Sequence, residues 1–166
     1  MKTLFTTPRL SCRRWVRSDL DSIYAVYSDE EGSRWVDDGQ PIEYRECERW
    51  MDVTLTNYKT RGYGMFAVDE TKSGQTIGFC GLVHPGGQPV AEVKYAFLRS
   101  HWGKGFASEI IPALLAWGKS EHGINEVIAT VAPENLASQR VLAKAGMRYT
   151  HTRENESSQT LVFAWP

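Results

Sequence analysis

The spacing of hydrophobic positions changes several times along the chain, and each change marks a different secondary-structure element. Residues 11–16 are typical of a short strand, and two later stretches repeat apolar residues at three- and four-residue intervals, the spacing of one helical face. The two stripes are Leu20, Ile23, Tyr24 and Tyr27 after Ser18, and Tyr44, Cys47, Met51, Leu55 and Tyr58 after Pro41. We therefore predict two helices, with Ser18 as the N-cap of the first.

Strand and helix signals then follow in a clear order. Runs at residues 63–69, 76–83 and 91–98 read as strands, and the separators 72–74 and 85–87 have turn chemistry, so an antiparallel meander is expected. A helix at 105–119, a strand at 126–131 and a helix at 135–145 come next, and Gly146 is a suitable residue to end the last helix. Two further strands are predicted within 148–165. The class is mixed α/β, with some parallel pairing from the strand–helix–strand unit.

Composition narrows the possible functions. The 166 residues contain 42% hydrophobic side chains and nearly balanced charges, 19 basic against 20 acidic, so nothing in the whole-chain charge favours nucleic acid or an anionic membrane. Three widely separated cysteines and four histidines without ligand spacing indicate neither disulfides nor a metal site. With no signal peptide, membrane span or linker visible, we expect one cytoplasmic domain over residues 1–166.

The most informative stretch runs from residue 91 to 108, where a strand leads through a Gly-x-Gly turn, Gly103 and Gly105, into a helix. Glycines permit close approach of a ligand, and a helix start offers unpaired N–H groups, so the turn favours a phosphate or pyrophosphate. A Rossmann motif fits poorly, because Ser108 stands where a third glycine or alanine belongs and the next strand carries no acid. No Walker sequence exists in the chain. A purely structural turn remains the alternative.

Longer segments resemble one family throughout. The turn has the form of the pyrophosphate loop of the GCN5-related N-acetyltransferase (GNAT) superfamily, although Trp102 departs from the consensus at its first position. The chain is similar to the branch containing the ribosomal-protein N-terminal acetyltransferases in four segments: Thr7-Pro8-Arg9-Leu10, Ser18-Asp19-Leu20, the turn itself, and Glu134 to Leu142 with Gly146-Met147. The resemblance implies a central, mostly antiparallel sheet with a splayed parallel pair and flanking helices.

The resemblance also implies acetyl-CoA as co-substrate, with direct transfer of the acetyl group to a primary amine. Backbone groups near Ala96, Phe97 and Leu98 would bind the pantetheine arm, and one N–H would contact the thioester oxygen. The pyrophosphate would be held by the loop and helix start, with Lys104 adding charge and Asn135 contacting CoA from the last helix. The loop residues are Gly103, Lys104, Gly105, Phe106, Ala107 and Ser108.

A reacting amine must be deprotonated, and Glu92 is the candidate general base because it lies in the strand beside the expected cleft. The alternative is an ordinary solvated acid paired with Lys94. His84 titrates in a suitable range, but a turn histidine is more often simply exposed. Lys94 itself would narrow or charge the acceptor pocket, since related proteins have a small residue there.

Departure of the CoA thiolate commonly involves a tyrosine in this family, and Leu142 occupies that position here. Asn135, Ser138 and Leu142 share one helical face, so Ser138 is the candidate donor to the thiolate, as stabiliser rather than full proton source. The alternatives are that Asn135 is only an N-cap and Ser138 a small packing residue.

The acceptor is the least defined part of the prediction. Trp35, Asp37 and Asp38 lie between the first two helices, where the acidic pair would attract a cationic amine, although an exposed polar loop explains them equally well. The acceptor is either a protein N-terminus or a small molecule, and a homodimer is possible. The competing function is an acyl-CoA-binding module with weak or no catalysis.

Overall fold

The structure, a computed structural model, describes residues 2–35 and 39–166. Its strands are β1 (Thr3–Thr6), β2 (Leu10–Arg14), β3 (Met65–Glu70), β4 (Thr76–Val83), β5 (Ala91–Phe97), β6 (Val127–Val131), β7 (Arg148–Glu154) and β8 (Gln159–Trp165). Its helices are α1 (Leu20–Tyr27), α2 (Glu30–Ser33), α3 (Tyr44–Thr60), α4 (Phe106–His122) and α5 (Leu136–Lys144). None of the helices in the described ranges is both long and apolar enough to cross a membrane.

All eight strands form one sheet in the order β1-β2-β3-β4-β5-β6-β8-β7. The predicted meander is confirmed, since β3, β4 and β5 pair antiparallel with their neighbours. The predicted parallel pairing is confirmed between β5 and β6, and the other pairs are antiparallel. The architecture is therefore a mostly antiparallel mixed sheet with flanking helices.

The start of the first helix differs from the prediction. A short 3-10 turn at Arg17–Asp19 precedes α1, so Ser18 lies inside a turn rather than at an N-cap. Asp19 fixes this geometry instead, because its carboxylate accepts the Val16 N–H at 2.8 Å and binds the Arg13 guanidinium through two bonds of 2.9 Å. Strand β1 and helix α2 are additional elements that the hydrophobic pattern did not indicate, since both are only four residues long.

Helices pack against both faces of the sheet. On one face Phe79 of β4 packs against Trp15 and against Tyr27 of α1, which in turn contacts Trp50 of α3. On the other face Leu82 of β4 packs against α4 at Gly118, where a Cβ would approach a Leu82 methyl within 2.7 Å. We call these the α1 face and the α4 face.

Strands β5 and β6 stay paired for only a short distance. Their register contains two residue pairs, Ala91 with Val127 and Glu92 with Ile128, whereas β5 continues to Phe97 and β6 to Val131. Beyond these pairs the sheet opens, and the opening leads toward the first turns of α4 and α5, which follow the two strands. This opening, which we call the slot, positions the candidate site.

Candidate active site

The glycine turn forms an open cradle at the start of α4. Gly103 and Gly105 have φ of +73° and +79°, in the left-handed region that disfavours other residues, and nothing lies within 4 Å of a Cβ built at Gly103. Gly105 is the N-cap of α4, and no side chain caps the helix. The first-turn N–H groups, including those of Phe106, Ala107 and Ser108, are thus available to an anion, and the helix dipole favours one.

A distant segment braces this cradle. Arg9 donates from Nε to Glu109 Oε1 at 2.7 Å and from Nη1 to the carbonyl oxygen of Lys104 at 2.9 Å, and its guanidinium stacks on the Phe106 ring at 4.3 Å. Thr7 donates its hydroxyl proton to Glu109 Oε2 at 2.5 Å. The sequence marked Thr7 and Arg9 only as part of a resemblance, because no local signal links residues 100 positions apart.

These contacts of Thr7 and Arg9 with Glu109 and the Lys104 carbonyl, which we call the brace, also set the charge state of Glu109. Burial alone would raise the pKa of Glu109, but the hydrogen bonds from Thr7 and Arg9 outweigh it and lower the pKa below its ordinary value. Glu109 therefore stays ionised and paired, so the positive helix start remains available for an external anion. Lys104 is exposed beside the turn, as a charge contribution to anion binding requires.

The backbone along the slot refines the pantetheine prediction. The Leu98 N–H donates to the Ile77 carbonyl at 2.8 Å, so it faces β4 and is engaged there. Backbone direction alternates along a strand, so Ala96 also faces β4, whereas Tyr95 and Phe97 face the slot. The Phe97 carbonyl accepts the Trp102 indole N–H at 2.9 Å. The slot-facing N–H groups therefore belong to Phe97 and to Tyr95, a residue that the sequence analysis did not select.

Glu92 lies on the α1 face beside the end of the β5–β6 pairing. Glu92 is only 3% exposed. Its Oε2 atom accepts a hydrogen bond from the Thr130 hydroxyl at 2.8 Å and lies 2.8 Å from Lys94 Nζ. The ion pair of the alternative interpretation is present, but the acid is buried rather than solvated. A buried carboxylate is held in a low-dielectric setting that strengthens its polar interactions.

Ser138 and Asn135 lie together at the start of α5. Asn135 is the N-cap, and its side-chain oxygen accepts the Ser138 N–H at 3.2 Å. The Ser138 hydroxyl is hydrogen-bonded to the phenol of Tyr95 from β5. Leu142 is only 1% exposed and belongs to the core. The capping role of Asn135 is present, and Ser138 makes a polar contact in addition to any packing role.

Within the described residues, His84 and Trp35 are the remaining candidates. His84 accepts or donates at Nε2 with the Tyr63 phenol at 2.8 Å, and its Nδ1 lies 2.9 Å from the Gln88 carbonyl oxygen. Trp35 is 40% exposed, but Asp37 and Asp38 fall outside the described ranges. Within residues 2–35 and 39–166, no group of three His, Cys, Asp or Glu side chains is arranged to hold a metal ion.

Some known proteins resemble this chain in sequence, and others share its fold. The curated relative described as uncharacterized N-acetyltransferase YoaA from Bacillus subtilis (strain 168) is 31% identical over 152 residues, covering 89% of this chain and 84% of the relative. A ribosomal L7/L12 α-N-protein acetyltransferase solved with coenzyme A superposes with a TM-score of 0.83 at 15% identity, covering 99% of this chain and 97% of that one. Spermidine N-acetyltransferase from Vibrio cholerae, solved with CoA and spermine, gives 0.78 at 17%, with 95% of each chain covered.

A family model agrees with these likenesses. The model described as an acetyltransferase (GNAT) domain matches residues 9–148, which include Arg9 and Glu109, the glycine turn, the slot and helix α5. The match covers most of the 166 residues. The chain belongs to the GNAT acetyltransferase family, and it is an acyltransferase by that membership.

Proposed function

We propose that this protein transfers an acetyl group from acetyl-CoA directly to a primary amine, either a protein N-terminal α-amine or a small-molecule amine. One observation carries the proposal: an open, uncapped glycine cradle at the start of α4 stands beside a slot between β5 and β6. A buried carboxylate, Glu92, lies at the end of that slot on the opposite face of the sheet. In this arrangement, acetyl-CoA would enter the slot from the α4 face and the amine acceptor from the α1 face.

The cradle and the slot fit the two chemical parts of acetyl-CoA. Backbone N–H groups from Gly103 to Ser108 bind the pyrophosphate, and Arg9 holds the turn in place through the Lys104 carbonyl. The pantetheine arm contains amide groups, which can hydrogen-bond to the slot-facing backbone groups of Tyr95 and Phe97. One of these N–H groups stabilises negative charge on the thioester oxygen during transfer.

Glu92 acts as the general base in this scheme. A free α-amine titrates near 8 and a lysine-type amine near 10.4, so an acceptor arrives largely protonated at neutral pH and must lose a proton before attack. The carboxylate is held on the acceptor side by Thr130 and Lys94. Proton removal by a positioned carboxylate, directly or through one water, is worth about 100-fold or more in rate.

The acceptor class is supported by proteins of the same fold. Among them, one structure is described as a ribosomal L7/L12 α-N-protein acetyltransferase and another as a spermidine N-acetyltransferase. Both acceptors contain primary amines, and a carboxylate beside the slot suits the deprotonation of such a group.

A binding module without useful catalysis is the second candidate, and one observation favours it. The Lys94 ammonium lies 2.8 Å from Glu92 Oε2, so this oxygen is already engaged in an ion pair. A base would have to act through the other carboxylate oxygen or share this contact. In a pure binding module, the glycine cradle would bind acetyl-CoA and the Glu92–Lys94 pair would be structural.

Calorimetric titration with acetyl-CoA is the first test, with dephospho-CoA and NADH as controls. We expect micromolar acetyl-CoA binding and none with NADH, because the slot accepts an amide arm rather than a second nucleotide. A panel of primary amines is then assayed by thiol release. Acetyl-CoA binding without turnover on any amine would favour the binding module. A folded sample that does not bind acetyl-CoA would contradict both candidates.

A further inference from the structure

We propose that Tyr95 supplies the proton for the departing CoA thiolate through the Ser138 hydroxyl, so that a strand residue provides the phenol that α5 lacks at Leu142. This inference rests on the proposed function and names a residue that the sequence analysis left out. Its basis is a hydrogen bond across the site between the phenol of Tyr95 on β5 and the hydroxyl of Ser138 on α5, in which either oxygen can donate. Tyr95 therefore acts through Ser138 as a positioning and proton-supplying residue.

The strand register places Tyr95, and hence its hydrogen bond to Ser138, on the α4 face of the sheet. Tyr95 is opposite Cys80 and two residues from Phe97, whose ring stacks with Phe106 at the start of α4. Since alternate strand residues share a face, Tyr95 and Phe97 both point to the α4 face. Tyr95 also lies three positions beyond Glu92, where the pairing with β6 has ended. The phenol of Tyr95 therefore lies at the slot on the α4 face, the same side as the glycine cradle and the proposed path of the pantetheine arm.

The hydrogen-bond pattern of Ser138 leaves its hydroxyl suited to a relay. Its N–H is taken by Asn135, which fixes the backbone, and within residues 2–35 and 39–166 its hydroxyl has Tyr95 as its one hydrogen-bond partner. A hydroxyl carries one proton and two lone pairs, so Ser138 can accept from the phenol and donate onward at the same time. Asn135 and Tyr95 together hold the Ser138 side chain at the slot.

Acidity explains why a serine alone is insufficient. A thiol titrates near 8.5 and a phenol near 10, whereas an aliphatic hydroxyl is a far weaker acid than either. Burial raises the pKa of Tyr95 and the hydrogen bond to Ser138 partly offsets it, so the phenol is fully protonated at neutral pH. Tyr95 therefore holds a proton that is available when a thiolate forms.

The step balances without any external oxidant or reductant. An ammonium acceptor first loses one proton to Glu92, and its neutral nitrogen then forms a bond to the acetyl carbon. The nitrogen of the tetrahedral intermediate loses its second proton to water, and the carbon–sulfur bond breaks with its electron pair moving to sulfur. Sulfur takes the Ser138 proton as Ser138 takes the Tyr95 proton. The phenolate regains a proton from water, and the Glu92 proton passes to solvent, so the products are an acetylated amine and free CoA thiol.

The test compares Y95F and S138A with the wild type in turnover and in the titration of bound CoA. Y95F keeps the ring and removes the phenolic oxygen, and Y149F is the matched control because Tyr149 is 54% exposed and bonds Thr152 instead. We expect Y95F to lower kcat about 100-fold while leaving the dissociation constant of acetyl-CoA unchanged. Y149F should behave like the wild type.

A second readout does not depend on turnover. The thiol of CoA bound to the wild-type protein is titrated by the ultraviolet absorbance of its thiolate. Because a donor chain stabilises the thiolate, Y95F and S138A should each raise the pKa of that bound thiol, by about one unit. The double variant should be no worse than S138A, because the two residues act as one unit.

The outcomes separate this proposal from the proposed function. Wild-type kcat together with an unchanged thiol pKa in Y95F, in a sample that melts and binds acetyl-CoA normally, would overturn the role of Tyr95 alone. Failure of the wild-type protein to bind CoA would overturn the proposed function and this inference together. If the wild type binds CoA but acetylates no amine, a raised pKa of the bound thiol in Y95F still supports the proton relay through Ser138. An unchanged thiol pKa in Y95F refutes that relay.

Discussion

The two faces of strand β5 are built in different ways. On the α4 face, the proposed acetyl-CoA site consists mainly of backbone groups: positive-φ glycines, an uncapped helix start and slot-facing N–H groups. On the α1 face, the proposed acceptor side consists of a side-chain network in which Glu92 contacts both Lys94 and Thr130 at 2.8 Å. Backbone recognition tolerates side-chain change and suits a co-substrate shared by a whole family. A side-chain network responds to single substitutions and suits the choice of acceptor.

The largest expected effect comes from removing the acid on the α1 face. Glu92→Gln should lower kcat by about 100-fold or more with little change in acetyl-CoA affinity, because the amide keeps an acceptor for Thr130 but no longer takes a proton. Steady-state kinetics and calorimetry measure the two effects separately.

The double variant E92Q/K94Q is the control for this substitution. If E92Q acts only by leaving Lys94 without its partner, removing the lysine should restore turnover. Restored turnover in the double variant would contradict a base role for Glu92 and assign the pair a structural function.

Distorting the cradle on the α4 face should produce the next largest effect. Gly103→Val places a β-branched residue at φ of +73°, a conformation that costs L-residues about 1–2 kcal/mol, so we expect about 10-fold weaker acetyl-CoA binding. Gly74→Val is the matched control, since Gly74 also has φ of +73° with open space around it, but lies in the turn after β3. Equal losses of affinity in both variants would indicate general destabilisation.

Removing the brace should weaken the donor site less. Arg9→Ala loses the bonds to Glu109 and to the Lys104 carbonyl, and we expect about fivefold weaker acetyl-CoA binding, with no recovery in Arg9→Lys because an ammonium cannot reproduce the forked contact. Calorimetry measures both variants. If Arg9→Lys had the acetyl-CoA affinity of the wild type, Arg9 would act only through its positive charge and not through its forked hydrogen bonds.

The same brace predicts an acid dependence of stability. The pKa of Glu109 is lowered in the folded state from the ordinary 4.5, so its ion pair stabilises the fold at pH values above 4.5 and the contribution is lost as the pH falls below that value. Thermal melts from pH 7 to pH 3 should therefore fall less steeply for Arg9→Ala than for the wild type. Parallel curves would contradict this linkage.

The smallest effect concerns the choice of acceptor. Lys94→Met removes a half-exposed ammonium next to Glu92, so the KM for a cationic amine should fall about twofold through reduced charge repulsion. Lys72→Met, in the exposed turn between β3 and β4, should leave KM unchanged. A large loss of kcat in Lys94→Met would instead show that Lys94 orients Glu92.

Local sequence signals predicted most of the fold because each depends on neighbouring residues. Strand β4 has the bounds that its apolar run and flanking turns predicted, residues 76–83, and Gly146 ends the last helical segment with φ of +87°. The start of α1 was misplaced, because Ser18 had the right chemistry for an N-cap but the buried Arg13–Asp19 pair decided where the chain turns. A salt bridge to a strand is not visible in local spacing.

The candidate site divides along the same line. The sequence by itself determined the glycine turn, its helix and the capping Asn135, because backbone conformation at these points follows from the residues present. The tertiary structure alone decided which backbone groups face the slot, that Glu92 is buried against Thr130, and that Tyr95 reaches Ser138 across 43 positions of sequence. These contacts depend on strand register and on how α5 packs, and both arise from long-range pairing that no local pattern encodes.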